Sequence, residues 1–254
     1  MFTLRRTVKI LDIDFSNKTL KETVDLLENH IQNNKKLFHL ITVNPEISII
    51  AQSDDELLNI IKQADLITPD GFGIVLASKR KKEALPERVT GFDLLNQLLS
   101  KGNKHKWSFY FLGTDEDTNR IAVDRIKILY PNITVAGRHN GFFSVEEEKS
   151  IIDSIKEIKP DILIIAMGAP YTDKWIQKHK LEVSETKLVF GVGGSLDVLS
   201  GKTKETPLIW KKLNLEWLHR LLTAPVKMGQ KSRWKRQLST MPKFIYKAIL
   251  RNPQ

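Results

Sequence analysis

Residues 64–73 read ADLITPDGFG: a short apolar strand that stops at a proline, then an acidic residue and two glycines. The apolar run at 74–77 predicts a helix after this turn. In an open α/β sheet, ligands bind in the crevice outside the carboxyl ends of the strands. Asp70 is therefore a candidate general base or hydroxyl-binding group. An alternative, which this segment leaves open, is that Asp70 only caps the next helix.

The alternation of a strand with a helix continues on both sides of this segment as far as residue 201. Apolar runs typical of strands lie at 8–13, 37–43, 107–112, 133–136, 161–166 and 187–190. Helical spacing predicts helices at 19–31, 46–63, 92–99, 115–129, 145–158 and from 171. This alternation predicts an α/β fold: a Rossmann-like, mostly parallel sheet with helices on both faces.

The predicted strand ends carry glycines and polar residues, which indicates one ligand crevice along a shared edge. The candidate residues there are Thr42, Asn44, Asp70, Gly71, Gly113, Gly137, Arg138, His139, Asn140, Gly168, Pro170, Gly191, Gly193, Gly194, Ser195 and Asp197.

Two of these strand ends form distinct motifs. GVGGSLD at 191–197 suits close approach of backbone to phosphate at a helix N-terminus, although glycines also serve plain tight turns. It is not the dinucleotide fingerprint, and neither a Walker loop nor a G-x-S-x-G elbow occurs.

The second motif, GRHNGFF at 137–143, is predicted as a loop. Its cation, imidazole and amide either contact a ligand or belong to a plain surface turn. No acidic or histidine cluster has metal-ligand spacing, so no metal site is expected.

The charge of the chain is concentrated at one end. Residues 202–254 hold 13 of the 40 basic residues but two of the 30 acidic residues, so residues 1–201 are nearly neutral. We therefore divide the chain into an α/β core at 1–201 and a basic, Trp- and Leu-rich helical appendage at 202–254. The appendage suits an anionic membrane surface. The second interpretation is ordinary packing of Trp and Leu with a solvated basic face, and the third is nucleic-acid binding.

Other features bear on location. The chain has no cysteine, and no run approaches the roughly 20 apolar residues that span a bilayer. The first residues lack the apolar core of a signal peptide. We expect a cytoplasmic protein that associates peripherally with the inner face of the cell membrane.

Eight segments in order resemble the WecG/TagA/CpsF glycosyltransferase family and cover about residues 8–235. They are TVNPE at 42–46, TPDGFG at 68–73, RVTGFD at 88–93, FLG at 111–113, GRHNGFF at 137–143, GAP at 168–170 leading to Trp175, GVGGSLD at 191–197 with Gly201, and LEWLHRL at 215–221.

The resemblance implies an inverting, metal-independent transferase that needs no cofactor. It implies transfer of N-acetylmannosamine from a UDP donor to undecaprenyl-diphosphate-linked N-acetylglucosamine, for teichoic acid or a related surface polymer. Asp70 would be the base, with Thr42 in the same pocket. The appendage would close over the site and help dock the enzyme on the membrane. Arg88, Arg220 and Arg233 are candidate contacts to the donor, no nucleic-acid partner is expected, and assembly into a homo-oligomer could expose or bury the appendage.

One departure bears on the substrate. The family usually has Lys-Gln-Glu after Gly-x-Pro, and this chain has Tyr171, Thr172 and Asp173. A short hydroxyl thus replaces a long amide. The alternatives are a different UDP-hexose donor on the same fold, or a nucleotide-sugar-binding protein without catalysis.

Overall fold

A computed structural model describes residues 7–80, 84–204, 206–207, 209–210 and 239–251. Its main sheet has six strands: β3 Phe38–Val43, β4 Leu66–Pro69, β5 Ser108–Gly113, β6 Thr134–His139, β7 Ile162–Ala166 and β8 Leu188–Gly191. Their order across the sheet is β4-β3-β8-β7-β5-β6, and every neighbouring pair is parallel. The predicted α/β fold with a parallel sheet is confirmed.

Helices lie on both faces of this sheet. They are α1 Leu20–Asn33, α2 Pro45–Ala51, α3 Asp55–Gln63, α4 Phe72–Ser78, α5 Gly91–His105, α6 Glu116–Leu129, α7 Val145–Ile158, α8 Tyr171–Lys178 and α9 Ser195–Leu199. One face packs on α1, α5, α6 and α9. The other packs on α2, α3, α4, α7 and α8. All strands of the main sheet except the edge strand β6 are therefore buried on both sides, which explains their apolar runs in the sequence.

The prediction of a single first strand at 8–13 is wrong. The structure has two short strands, β1 Thr7–Ile10 and β2 Ile13–Ser16, paired antiparallel outside the main sheet. The turn between them consists of Leu11 and Asp12, with φ of 48° and 61°. Positive φ at both central residues is the geometry of a tight hairpin turn. Leucine is an unusual residue for such a turn, which is why the sequence pattern did not predict it.

A second correction concerns 137–141, which was predicted as a loop. Gly137, Arg138 and His139 continue β6 and pair with β5. Gly137 is needed there because a Cβ at this position would lie 2.4 Å from the ring of Tyr110. The glycine thus accommodates a cross-strand aromatic ring rather than a turn.

The last described segment is helical over 239–244 and continues as a π-helix, Ile245–Leu250; we call 239–250 the terminal helix. Phe244 and Ala248 are buried in the same apolar cluster as residues of β3 and α4. The rest of the basic appendage, from 211 to 238, lies outside the described residues. Over the described ranges, no helix combines the length and apolarity needed to cross a bilayer.

Candidate active site

The strand order creates a crevice between β3 and β8. Both strands are parallel and adjacent, so their carboxyl ends lie side by side. The chain leaves β3 into α2 on one face of the sheet, and leaves β8 into α9, which packs against α6 on the other face. Adjacent strands whose following helices lie on opposite faces form the topological switch point where α/β folds bind ligands. The site is therefore expected above Thr42 and the 191–195 turn.

Asp70 lies at this crevice and does not cap α4. The N-cap of α4 is Gly71, with φ of 108°, and no side chain makes a cap hydrogen bond there. Instead, Asp70 N–H donates to the carbonyl of Val43 at 2.9 Å, and Asp70 Oδ2 accepts from Gly91 N–H at 3.4 Å. Gly91 is the first residue of α5, so the carboxylate faces the positive end of a 15-residue helix. That end stabilises negative charge at Asp70.

Thr42 joins Asp70 at the start of α5. It lies on the same face of β3 as Leu40, the face on which α5 packs. A Cβ on Gly91 would lie 3.4 Å from both Thr42 Oγ1 and the Gly191 carbonyl oxygen. The structure thus brings Thr42, Asp70, Gly91 and the end of β8 together. We did not select Gly91 from the sequence; the signal was the Thr90–Asp93 capping pattern, which places Gly91 at a helix start.

Three further candidates, Asn44, Gly71 and Arg88, lie beside Thr42 or Asp70. Asn44 is the N-cap of α2, and its Oδ1 accepts from Ile47 N–H at 2.9 Å. Arg88 is half-buried, and the next N–H along the chain, that of Val89, donates to the Pro69 carbonyl at 2.8 Å. Arg88 therefore lies at the end of β4 beside Asp70. Arg220 and Arg233 lie outside the described residues.

The glycine-rich turn after β8 presents backbone to the crevice. Gly193 has φ of 52°, and a Cβ there would have no atom within 4 Å. Ser195 is buried, and its hydroxyl donates to the Val192 carbonyl at 2.6 Å, so it stabilises the turn. Asp197 Oδ1 accepts from Thr114 Oγ1 at 3.2 Å, which links the turns after β5 and β8. Thr114 was not selected from the sequence; its place after Gly113 was the available signal.

The turn after β7 borders the same crevice. Gly168 has φ of 81° with open space around it, and the Ala169–Pro170 bond is cis. Thr172 is buried: its Oγ1 accepts from Met167 N–H at 3.3 Å, and its Cγ2 lies 2.8 Å from where a Cβ on Gly191 would be. Gly191 is therefore required for α8 to approach β8.

The polar residues of β6 lie far from Asp70. Three strands separate β6 from β3, a spacing of about 19 Å at ~4.8 Å per strand. Arg138 donates to Glu116 Oε1 at 2.6 Å, a contact that raises the pKa of Arg138 and lowers that of Glu116. Asn140 Oδ1 accepts from Phe142 N–H at 2.8 Å, and a ring nitrogen of His139 lies 2.9 Å from the Asn140 carbonyl. These groups can contact only a distant part of a ligand bound at Asp70.

Asp173, which the sequence analysis named only as part of the departure at 171–173, is a buried acid in the first turn of α8. Burial raises its pKa to about 7, since a charged carboxylate loses hydration there. Asp173→Asn should therefore stabilise the fold more at pH 8 than at pH 5. Between about pH 4 and pH 7 the unfolded chain releases this proton and the folded chain keeps it, so wild-type stability falls as pH rises, by at most about 1.4 kcal/mol per pH unit.

Urea unfolding of wild type and Asp173→Asn at pH 5 and pH 8 checks this prediction. Asparagine has nearly the same shape as the protonated acid and carries no ionisable group. An equal gain at the two pH values would contradict a raised pKa.

Known proteins resemble this chain over almost its whole length. The model of the Glycosyl transferase WecG/TagA/CpsF family matches residues 8–254. The chain is 35% identical over 244 residues to the N-acetylglucosaminyldiphosphoundecaprenol N-acetyl-beta-D-mannosaminyltransferase of Staphylococcus aureus strain MRSA252, covering 94% of this chain and 91% of that relative. The protein of the same name from strain NCTC 8325 / PS 47 matches with the same identity and coverage. The chain, with its parallel α/β fold, belongs to the WecG/TagA/CpsF family of glycosyltransferases.

Proposed function

We propose that this protein transfers N-acetylmannosamine from UDP to N-acetylglucosamine linked to undecaprenyl diphosphate, with inversion at the anomeric carbon. The product would serve teichoic acid or a related surface polymer. The names of the relatives support this acceptor and sugar. The observation that carries the proposal is the meeting of Asp70, Thr42 and the start of α5 at the switch point of the sheet.

Asp70 would be the general base. A carboxylate within hydrogen-bond reach of the acceptor hydroxyl takes its proton as the oxygen bonds to the anomeric carbon. The bond from that carbon to UDP breaks in the same displacement, which inverts the configuration. Thr42 Oγ1, which also lies beside Gly91 at the start of α5, would orient the acceptor or the sugar.

The UDP leaving group needs positive charge and N–H donors, because negative charge develops on it. The open backbone at Gly193 suits a phosphate, and Asp197 suits a ribose hydroxyl. We propose that Arg88 and the appendage arginines Arg220 and Arg233 supply the charge, so that no metal is required.

The lipid acceptor implies contact with a membrane, and the terminal helix has a surface suited to one. Its exposed apolar side chains are Ile245, Tyr246 and Leu250, opposite the buried Phe244 and Ala248. Residues 239–251 contain three basic residues and no acidic one. We propose that this surface rests on the anionic inner face of the cell membrane, which makes the protein a peripheral cytoplasmic enzyme.

A different UDP-hexose is the second candidate, and Thr172 favours it. Where the family usually has a glutamine, the hydroxyl of Thr172 is buried and accepts from Met167 N–H. This side chain does not reach into the crevice, whereas Tyr171 beside it is 70% exposed. The contact that a long amide would make to the sugar is therefore missing here.

A UDP-release assay tests the proposal. A panel of UDP-sugars is offered with a soluble analogue of diphosphate-lipid-linked N-acetylglucosamine, with and without EDTA. We expect release with UDP-N-acetylmannosamine and the same rate in EDTA. Release with another sugar alone would keep the mechanism and replace the donor, and a loss of activity in EDTA would contradict metal independence. UDP binding without turnover of any donor would indicate a non-catalytic binding protein.

A further inference from the structure

Phe244 is the most deeply buried side chain of the terminal helix. Phe244 has 0% exposure, whereas its neighbours Ile245 and Tyr246 are 42% and 54% exposed. It packs in the cluster that contains Ile41 and Val43 of β3 and the buried face of α4. The last described part of the appendage therefore inserts a ring beneath the strand and helix that border Asp70.

Phe244 meets the core directly below the loop that carries Asp70. A Cβ on Gly73 would lie 3.6 Å from Phe244 Cε1 and 2.8 Å from Pro45 Cγ. A Cβ on Gly71 would lie 3.8 Å from Pro45 Cδ. The rings of Phe244 and Pro45 thus both lie beside the backbone of Gly73, three residues after Asp70, whose carboxylate accepts from Gly91 N–H at the start of α5. We call Phe244, Pro45 and the backbone of 71–73 the packed layer.

This layer supports the segment that follows Asp70, which is also held by the bond from Asp70 N–H to the Val43 carbonyl. The contact from Gly91 N–H to Asp70 Oδ2 is long, at 3.4 Å, so a small shift of the 70–73 loop breaks it. Glycines at 71 and 73 carry no side chain to hold the loop, and Gly71 has a φ of 108°. Packed interiors transmit displacement because they contain few voids. Removing atoms beneath the loop therefore moves it.

We infer that Phe244 is a positioning residue for the transfer reaction: by filling the space under Pro45 and Gly73, it holds Asp70 in its working geometry. The inference rests on the proposed role of Asp70 as base. Phe244 thereby connects the basic appendage to the proposed base, because the terminal helix that carries it is part of that appendage. Correct seating of this helix is then a condition for proton transfer.

The test compares Phe244→Leu with Phe109→Leu. Phe109 is a matched control, since it is also fully buried but lies near the start of β5, and three strands separate β5 from β4, the strand that leads to Asp70. Both variants should lower the thermal midpoint to a similar extent. Phe244→Leu alone should lower kcat about 10-fold on the soluble acceptor analogue, with the donor KM unchanged. It should also speed amide hydrogen exchange in a peptide covering 70–78.

The outcomes separate this inference from the proposed function. If wild type is active and the two variants lose kcat equally, Phe244 has only a structural role and the inference fails. Faster exchange in 70–78 without a selective loss of kcat also overturns it. If wild type turns over no donor, the proposed function fails, and equal exchange in the two variants would overturn the coupling of Phe244 to the loop as well.

Discussion

Replacement of Asp70 by asparagine is expected to lower the rate of sugar transfer by about 10³-fold and to leave the fold intact. Asparagine has the same shape and keeps an oxygen that can accept from Gly91 N–H, now at 3.4 Å from Asp70 Oδ2. It cannot take a proton from the acceptor hydroxyl. The loss should therefore appear in kcat, measured by UDP release, while UDP affinity measured by calorimetry stays close to wild type.

Asp54→Asn is the matched control for this substitution. Asp54 is the N-cap of α3 and accepts from Leu57 N–H at 3.0 Å, a role that asparagine fills equally well. This variant should keep full activity. Full activity in Asp70→Asn would remove Asp70 as the base, and equal losses in the two variants would point to a general effect of lost charge.

Gly113→Ala is expected to cost about 3–5 kcal/mol of the free energy of unfolding, by adding backbone strain to overpacking. Gly113 ends β5 with φ of 133°, and a Cβ there would lie 2.5 Å from the carbonyl carbon and oxygen of Ala166 on β7. A neighbouring strand cannot move aside as a flexible side chain can. Domains of this kind are stable by roughly 5–15 kcal/mol, so the variant should unfold at much lower urea concentration.

Gly168→Ala separates the two causes. Gly168 also has positive φ, at 81°, but a Cβ there would have no atom within 4 Å. Gly168→Ala should therefore lower the free energy of unfolding only by the backbone strain, about 1–2 kcal/mol. Urea unfolding monitored by circular dichroism measures both variants. Equal losses at the two positions would show that contact with Ala166 contributes nothing.

Local sequence patterns predicted most elements of the fold. The apolar runs gave five of the strands of the main sheet near their observed positions, because strands covered on both faces must be apolar throughout. The predictions failed where a distant residue decides the local shape. Gly137 stays in a strand because Tyr110 of β5 occupies the space of its missing side chain, and no local pattern contains that information.

The sequence alone determined the fold class, the family and the identity of Asp70 as the candidate base, since these depend on short-range periodicity and on motifs that lie within single turns. The tertiary structure decided which of the candidate residues meet. The strand order brings β8 next to β3 and leaves β6 at the far edge, so Gly193 and Thr42 lie at one crevice and Arg138 pairs instead with Glu116. It also placed Phe244 beneath the Asp70 loop. The physical reason is that strand order and helix packing arise from contacts between residues far apart in the chain, which local patterns do not encode.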